Sequence, residues 1–234
     1  MIYWIESFRS FALESKLNIC MRLYLIRHGQ STWNQENRIQ GHSNPPLSEK
    51  GRDQIAKLIA RLKGERITKI IASPLVRAYE SAQILAKGLG VFCVGHEELK
   101  EIYLGKWEGR RPEEVNQLYN NGYKKWLTAP SKIKLPKAET IPKFCTRVVA
   151  GFERILTTEQ QERIAIVTHG GVLAALISHW LKADFDHALL NILFENSSLT
   201  IAEVYDGRVY LTDINDTCHL HRHPLPSSFD HRYS

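Results

Sequence analysis

Two short apolar runs end on the same dipeptide, and that repetition constrains the fold more than any other feature of the chain. Arg22 to Arg27 (RLYLIR) stops at His28-Gly29, and Arg163 to Thr168 (RIAIVT) stops at His169-Gly170-Gly171. Both read as buried strands, being brief, apolar-rich and closed by His-Gly. Ser48 reads as the N-cap of a helix running to about Lys63, with Ile55, Leu58, Ile59 and Leu62 on one face. Thr68 to Ala72 reads as a strand, Leu75 to Gly88 as a helix, and Gly90 to Val94 as another short strand. Phe144, Val148, Phe152, Ile155 and Leu156 share a later helical face, and Val172 to Leu181 is an apolar helix. Leu199 to Tyr205 and Arg208 to Ile214 flank Asp206-Gly207, the pairing of a tight hairpin. Strands alternating with helices predict an α/β domain. The expected architecture is a three-layer α/β/α sandwich with a mostly parallel central sheet and a helical or loop cap segment.

Hydrophobic residues make up 43% of the 234, enough for a sizeable core without staples. The longest apolar run, Val172 to Ile177, is six residues, against the roughly 20 that a membrane-spanning helix needs. Met1 to Glu6 lacks the basic start and apolar stretch of a secretory signal. Cys20, Cys93, Cys145 and Cys218 lie far apart, which predicts reduced thiols in a cytoplasmic protein and neither a disulfide framework nor a zinc site. No repeat, low-complexity tract or Gly/Ser linker divides the chain. Met21, where the strand pattern begins, is the expected natural start. Residues 1–20 are then an N-terminal extension, 21–218 the domain, and 219–234 a loose tail in which His219, His221 and His223 alternate. The net charge of +6 admits nucleic acid, an anionic membrane or a small acidic substrate.

In open α/β sheets, ligands bind at the carboxyl ends of strands, so His28 and His169 are predicted to meet across one pocket. The glycines after them let backbone approach an anion closely. Ser73-Pro74-Leu75-Val76-Arg77 brings Arg77 to a helix start, and the loop from Leu99 to Gly109 carries Glu101. With Arg27, the inventory is two histidines, two arginines and one carboxylate.

These residues, together with the string Leu25-Ile26-Arg27-His28-Gly29-Gln30-Ser31-Thr32-Trp33-Asn34, resemble the histidine phosphatase superfamily in its phosphoglycerate mutase-like branch. The resemblance runs from Arg22 to Leu181 and on toward Leu220. It implies phosphoryl transfer with no metal and no cofactor. His28 would attack phosphorus as a neutral imidazole, its protonated form disfavoured by Arg27 and Arg77. The two guanidiniums would clamp the phosphoryl oxygens, and His169 would donate to the equatorial oxygens. Glu101 would serve as general acid and then as base. Ser31, Asn34, Gln40, Gly41 and Gly170 match family positions that line the substrate pocket.

Phosphatases and mutases of the family share the five core residues. Its mutases usually place a tyrosine three residues after the acid and carry a longer insertion before the second histidine. Here Leu104 holds that place, and 67 residues separate Glu101 from His169. The string from Leu104 to Gly109 is similar to the family's phosphatases. The resemblance therefore implies a phosphomonoesterase acting on a small phosphorylated metabolite. Phosphoglycerate mutase-type transfer is the alternative, and a catalytically silent phosphate-binding module is a third reading. Neither nucleic acid nor membrane is an expected partner, and a homodimer is allowed. Many relatives have Gly-Gly-Glu-Ser where this chain has Lys137-Ala138-Glu139-Thr140, which keeps the spacing of Glu139 and Arg147. Specificity is expected to reside in a covering segment of about 102–147. Between Lys100 and Arg147 there are 11 basic and 5 acidic residues, a surplus expected to draw in small anions. Trp107 and Trp126 are expected to be packing residues.

Overall fold

The computed structural model describes residues 21–159 and 162–220; the extension 1–20 and the tail beyond Leu220, with His221 and His223, lie outside the described residues. Six strands share one sheet: β1 (Met21–Arg27), β2 (Lys69–Ala72), β3 (Phe92–Gly95), β4 (Arg163–Thr168), β5 (Leu199–Tyr205) and β6 (Arg208–Asp216). Their order is β3-β2-β4-β1-β5-β6. Four of them, β3, β2, β4 and β1, run parallel, while β5 is antiparallel to β1 and β6 antiparallel to β5. The described helices are α1 (Thr32–Gln35), α2 (Glu49–Leu62), α3 (Val76–Leu89), α4 (Pro112–Leu118), α5 (Gly122–Trp126), α6 (Ile141–Thr158), α7 (Gly170–Leu181) and α8 (Phe185–Asn191).

Alternation along the central strands builds the three layers. Leu23 and Leu25 of β1, with Ile164 and Ile166 of β4, enter a core shared with α6 and α7. Tyr24 and Ile26, with Ala165 and Val167, enter the opposite core shared with α2 and α3. Both faces of these strands are therefore dry, as a parallel sheet covered on two sides requires. Phe144 and Phe152 of α6 are almost wholly buried, and truncating either to alanine would cost about 3–5 kcal/mol. Ser48 caps α2 by accepting from the Gly51 N–H. Ile59, on the same helix, is half-buried against α3, where a Cβ on Gly88 would come within 2.4 Å of its Cδ1.

Differences from the expected boundaries are local. Strand β3 starts at Phe92 because Gly90 takes a left-handed conformation (φ 71°) and ends α3. Helix α7 starts at Gly170, two residues early, because His169 is its extended N-cap. Asp206 and Gly207 have φ of 48° and 70°, the two positive values of a type I′ hairpin. Cys218–Leu220 forms a 3-10 turn beside α2, spanning the expected boundary between domain and tail. The expected covering segment holds α4, α5 and two 3-10 turns (Gly105–Trp107 and Pro130–Lys132), and the ring of the buried Trp107 lies 6.1 Å from Trp126 and 6.2 Å from Tyr119. The Glu139 N–H donates to Tyr103 O at 2.9 Å and closes this excursion at its base. Asp186 of α8 pins its far side, accepting from Ser131 N–H at 2.9 Å and from Ser131 Oγ at 2.7 Å. Residues Ile141 to Arg147 already belong to α6. Among the described residues, no helix is long and apolar enough to cross a membrane.

Candidate active site

Register does the first work. β1 and β4 are parallel neighbours ending at the pair Arg27 and Thr168, so the residues that follow leave the sheet side by side. The His28 N–H donates to Thr168 O at 2.9 Å, and the His28 and His169 rings lie 5.2 Å apart at 60°. Both side chains are buried, 3% and 0% exposed.

The His28 Nδ1 lies 2.7 Å from Gly29 O. A carbonyl oxygen only accepts, so Nδ1 carries the proton and Nε2 keeps the lone pair. Arg77 Nε donates to that Nε2 at 3.2 Å. Burial, with Arg77 and Arg27 adding to it, holds the pKa of His28 well below the ordinary 6.5. Gly29 is required behind the ring, since a Cβ there would sit 2.6 Å from Gly51 O at the start of α2.

Arg77 is 1% exposed and is oriented by two carbonyls, with Nη1 to Ser43 O at 2.8 Å and Nη2 to Gly41 O at 2.9 Å. Burial lowers its pKa to about 10, against the pull of Glu101, so it remains a cation at neutral pH. Arg27 Nη1 donates to Phe194 O, and burial lowers its pKa as well. His169 Nε2 pairs with Ser73 Oγ at 2.7 Å. Burial, then Arg77, His28 and Arg27, keep the His169 pKa well below 6.5. Arg27 Nε and His169 Nδ1 are buried nitrogens with no partner among the described residues. Gly170 lies beside Arg27, where a Cβ would come 3.8 Å from Nε. Hydrogen-bonding capacity left unmet at the end of a parallel sheet is what an incoming oxyanion would use.

Glu101 enters from the loop after β3. Its Oε1 accepts from the Ile102 N–H at 2.9 Å and its Oε2 from the Gly171 N–H at 3.1 Å. The carboxylate thus rests on the first turn of α7, where anions are favoured. A Cβ on Gly171 would lie 2.3 Å from Glu101 Oε1, so the second glycine after His169 makes room for the acid.

Of the expected pocket-lining residues, Ser31, Asn34 and Gln40 form one hydrogen-bonded network. Ser31 is fully buried and caps α1, accepting from the Asn34 N–H at 3.0 Å and donating to Gln40 Oε1 at 2.8 Å. Asn34 Oδ1 accepts from the Ser31 N–H and from Asn196 Nδ2. Asn196 Nδ2 also donates to His28 O at 3.2 Å, which ties this network to the backbone of His28. Gly41 has φ of 51°, and a Cβ there would fall 2.1 Å from Glu108 Oε1.

The sequence profile of the Histidine phosphatase superfamily (branch 1) matches residues 23–217. The chain belongs to this superfamily. It is 28% identical over 200 residues to Phosphoserine phosphatase 1 of Hydrogenobacter thermophilus, covering 86% of this chain and 94% of that one. It is 31% identical over 202 residues to Phosphoglycerate mutase-like protein 4 of Arabidopsis thaliana, covering 85% of this chain and 86% of that one. The solved structure of Bacillus stearothermophilus YhfR superposes with a TM-score of 0.81 at 32% identity, over 86% of this chain and 100% of that one.

This member of the histidine phosphatase superfamily brings all five expected core residues, Arg27, His28, Arg77, Glu101 and His169, into one connected set. Sequence reasoning missed several side chains that hold them. Ser73 and Glu108 stood inside strings already singled out, though with no role given to them. Ser81, which accepts from the Gly29 N–H at 3.1 Å, and Asn196 carry no local signal, because their partners are remote backbone groups. Among the described residues, no group of three or more His, Cys, Asp or Glu side chains could hold a metal.

Proposed function

We propose that the chain is a metal-independent phosphomonoesterase for small phosphorylated metabolites, working through a phosphohistidine on His28. The observation that carries this reading is the fixed tautomer of His28, with Nδ1–H on Gly29 O and the Nε2 lone pair held by Arg77. An oxyanion arriving at Arg77 takes up the guanidinium's N–H donors and frees the lone pair. Nε2 then forms a bond to phosphorus as the ester P–O bond breaks, and protonated Glu101 gives its proton to the leaving alkoxide. In the second half, the Glu101 carboxylate takes a proton from water as that water attacks phosphorus and releases His28. Arg27, Arg77 and His169 hold the charge on the transferring oxygens. Residues from Tyr103 to Glu139, closed at their base and pinned by Asp186, form the substrate cover.

Hydrolysis is favoured over transfer to a second hydroxyl by Leu104, whose side chain packs on the core, and by similarity to a phosphoserine phosphatase. The test is phosphate release from a panel of phosphomonoesters with excess chelator present. Activity that collapses with chelator, or is absent from the whole panel, would overturn the proposal. A parallel incubation of 3-phosphoglycerate with 2,3-bisphosphoglycerate separates the mutase reading, since faster formation of 2-phosphoglycerate than of phosphate reverses the choice.

A further inference from the structure

We infer that Arg147, held by Glu139, is the positioning residue for Glu101, an inference that rests on the general-acid role proposed above. The 3-10 turn Glu97–Leu99 ends in an irregular stretch that runs to Gly105, so the carbonyls from Glu98 to Glu101 have no helix or strand to satisfy them. Side chains do so instead. Arg147 Nη1 donates to Glu98 O at 2.8 Å and to Lys100 O at 3.0 Å, and Nη2 donates to Glu101 O at 3.3 Å. Thr168 Oγ1 takes the intervening carbonyl, Leu99 O, at 2.8 Å. His42 Nε2 meets Glu101 O at 2.7 Å from the other side. Four consecutive carbonyls, from Glu98 to Glu101, are thereby fixed from outside the loop.

The two remaining N–H groups of Arg147 go to Glu139, Nε to Oε1 at 3.0 Å and Nη2 to Oε2 at 2.8 Å. All five donors of the guanidinium are then used. Arg147 is basic and lies at the end of the expected covering segment, yet it has no donor left for a substrate anion. Its work is on the loop. Glu139 is tied by its own N–H to Tyr103 O and accepts from the Tyr103 N–H at 3.4 Å. The pair therefore grips the chain on both sides of the acid. A planar fork can serve several acceptors at fixed angles, whereas an ammonium cannot. A carboxylate displaced by about an ångström forfeits on the order of 10²-fold in rate.

General-acid help matters for a poor leaving group and little for a good one, which gives a readout that mere loss of stability would not move. The experiment measures first-turnover release of leaving group from an alkyl phosphomonoester and from p-nitrophenyl phosphate by rapid quench. The proteins are wild type, Glu101→Gln, Arg147→Met and Arg147→Lys. The expected result is that Arg147→Met slows alkyl release at least tenfold more than p-nitrophenol release, in the same sense as Glu101→Gln. Arg147→Lys should show the same discrimination, and it supplies the answer if the methionine variant does not fold. Equal slowing of both esters, or no slowing, in Arg147 variants while Glu101→Gln discriminates would sink this inference alone. No discrimination in Glu101→Gln itself overturns the general-acid reading and the inference with it.

Discussion

Arg77 donates its Nε–H to the Nε2 of His28 at 3.2 Å, which places a cation against the lone pair that the proposed attack on phosphorus would use. The contact and the burial around it resist protonation of His28, and His169 behaves alike. Both folded-state pKa values lie below the 6.5 of an ordinary histidine. Between those values and 6.5 the unfolded chain binds protons that the folded chain does not, so this contribution to stability is complete above about pH 6.5 and is lost as pH falls. The slope is about 1.4 kcal/mol per pH unit for each histidine. Urea midpoints should drop from pH 7 to pH 5, and the drop should be shallower in His28→Asn. Identical pH profiles for the two proteins would remove His28 from this role.

Removing the proposed nucleophile and removing the proposed acid should leave different signatures. His28→Ala is expected to abolish trapping of an acid-labile phosphoenzyme with labelled substrate. Glu101→Gln should still bind substrate and turn over alkyl esters roughly 10²–10⁴-fold more slowly. Wild-type rates in either variant refute the role assigned to that residue.

Glu108 accepts from the His42 and Leu104 N–H groups through Oε1 and from the Ser43 N–H and Oγ through Oε2. Those contacts hold the loop whose Gly41 and Ser43 carbonyls orient Arg77. In Glu108→Gln one end becomes a donor facing donors, which leaves buried N–H groups unpaired at about 1–3 kcal/mol. Thermal melts should show that loss, and kcat/KM should fall with it. A variant as stable and active as wild type contradicts this coupling.

Lys124, Lys125, Lys132, Lys134, Lys137 and Lys143 are all exposed, on or next to the proposed cover. If they draw in anions, kcat/KM should decline as sodium chloride rises through the range where the Debye length shrinks below about 10 Å. Lys132→Glu with Lys134→Glu should flatten that decline. A salt response already flat in the wild type assigns the charge to solvation alone.

The parts of the fold that repeat a local period were legible in the sequence. Strands β1 and β4 are brief, near-continuous apolar runs closed by His-Gly, and α2 and α6 carry a helical stripe. The four chemical elements were legible too, because each directly follows a strand. The pairing of β5 against β1 was not, since the hairpin pattern fixes β5 to β6 but names no further neighbour. Short α4, α5 and α8 hold too few residues for a period to show. Asn196, Ser81 and Arg147 escaped for a different reason. Each satisfies backbone groups brought near by tertiary folding, and hydrogen bonds to the backbone leave no trace in side-chain spacing. Arg147 was counted in the surplus charge and noted for its spacing from Glu139, yet three of its five donors serve the loop that carries Glu101 and the other two serve Glu139.

The place of β1 in the sheet bears on how the protein is made. Both of its neighbours, β4 and β5, lie late in the chain. A nascent polypeptide therefore emerges with His28 at the end of an apolar strand that has nothing yet to pair with. Such an edge is prone to aggregate during synthesis. Truncation before Arg163 removes His169 and both strands that flank β1, so the five-residue set comes together only in a late step of assembly.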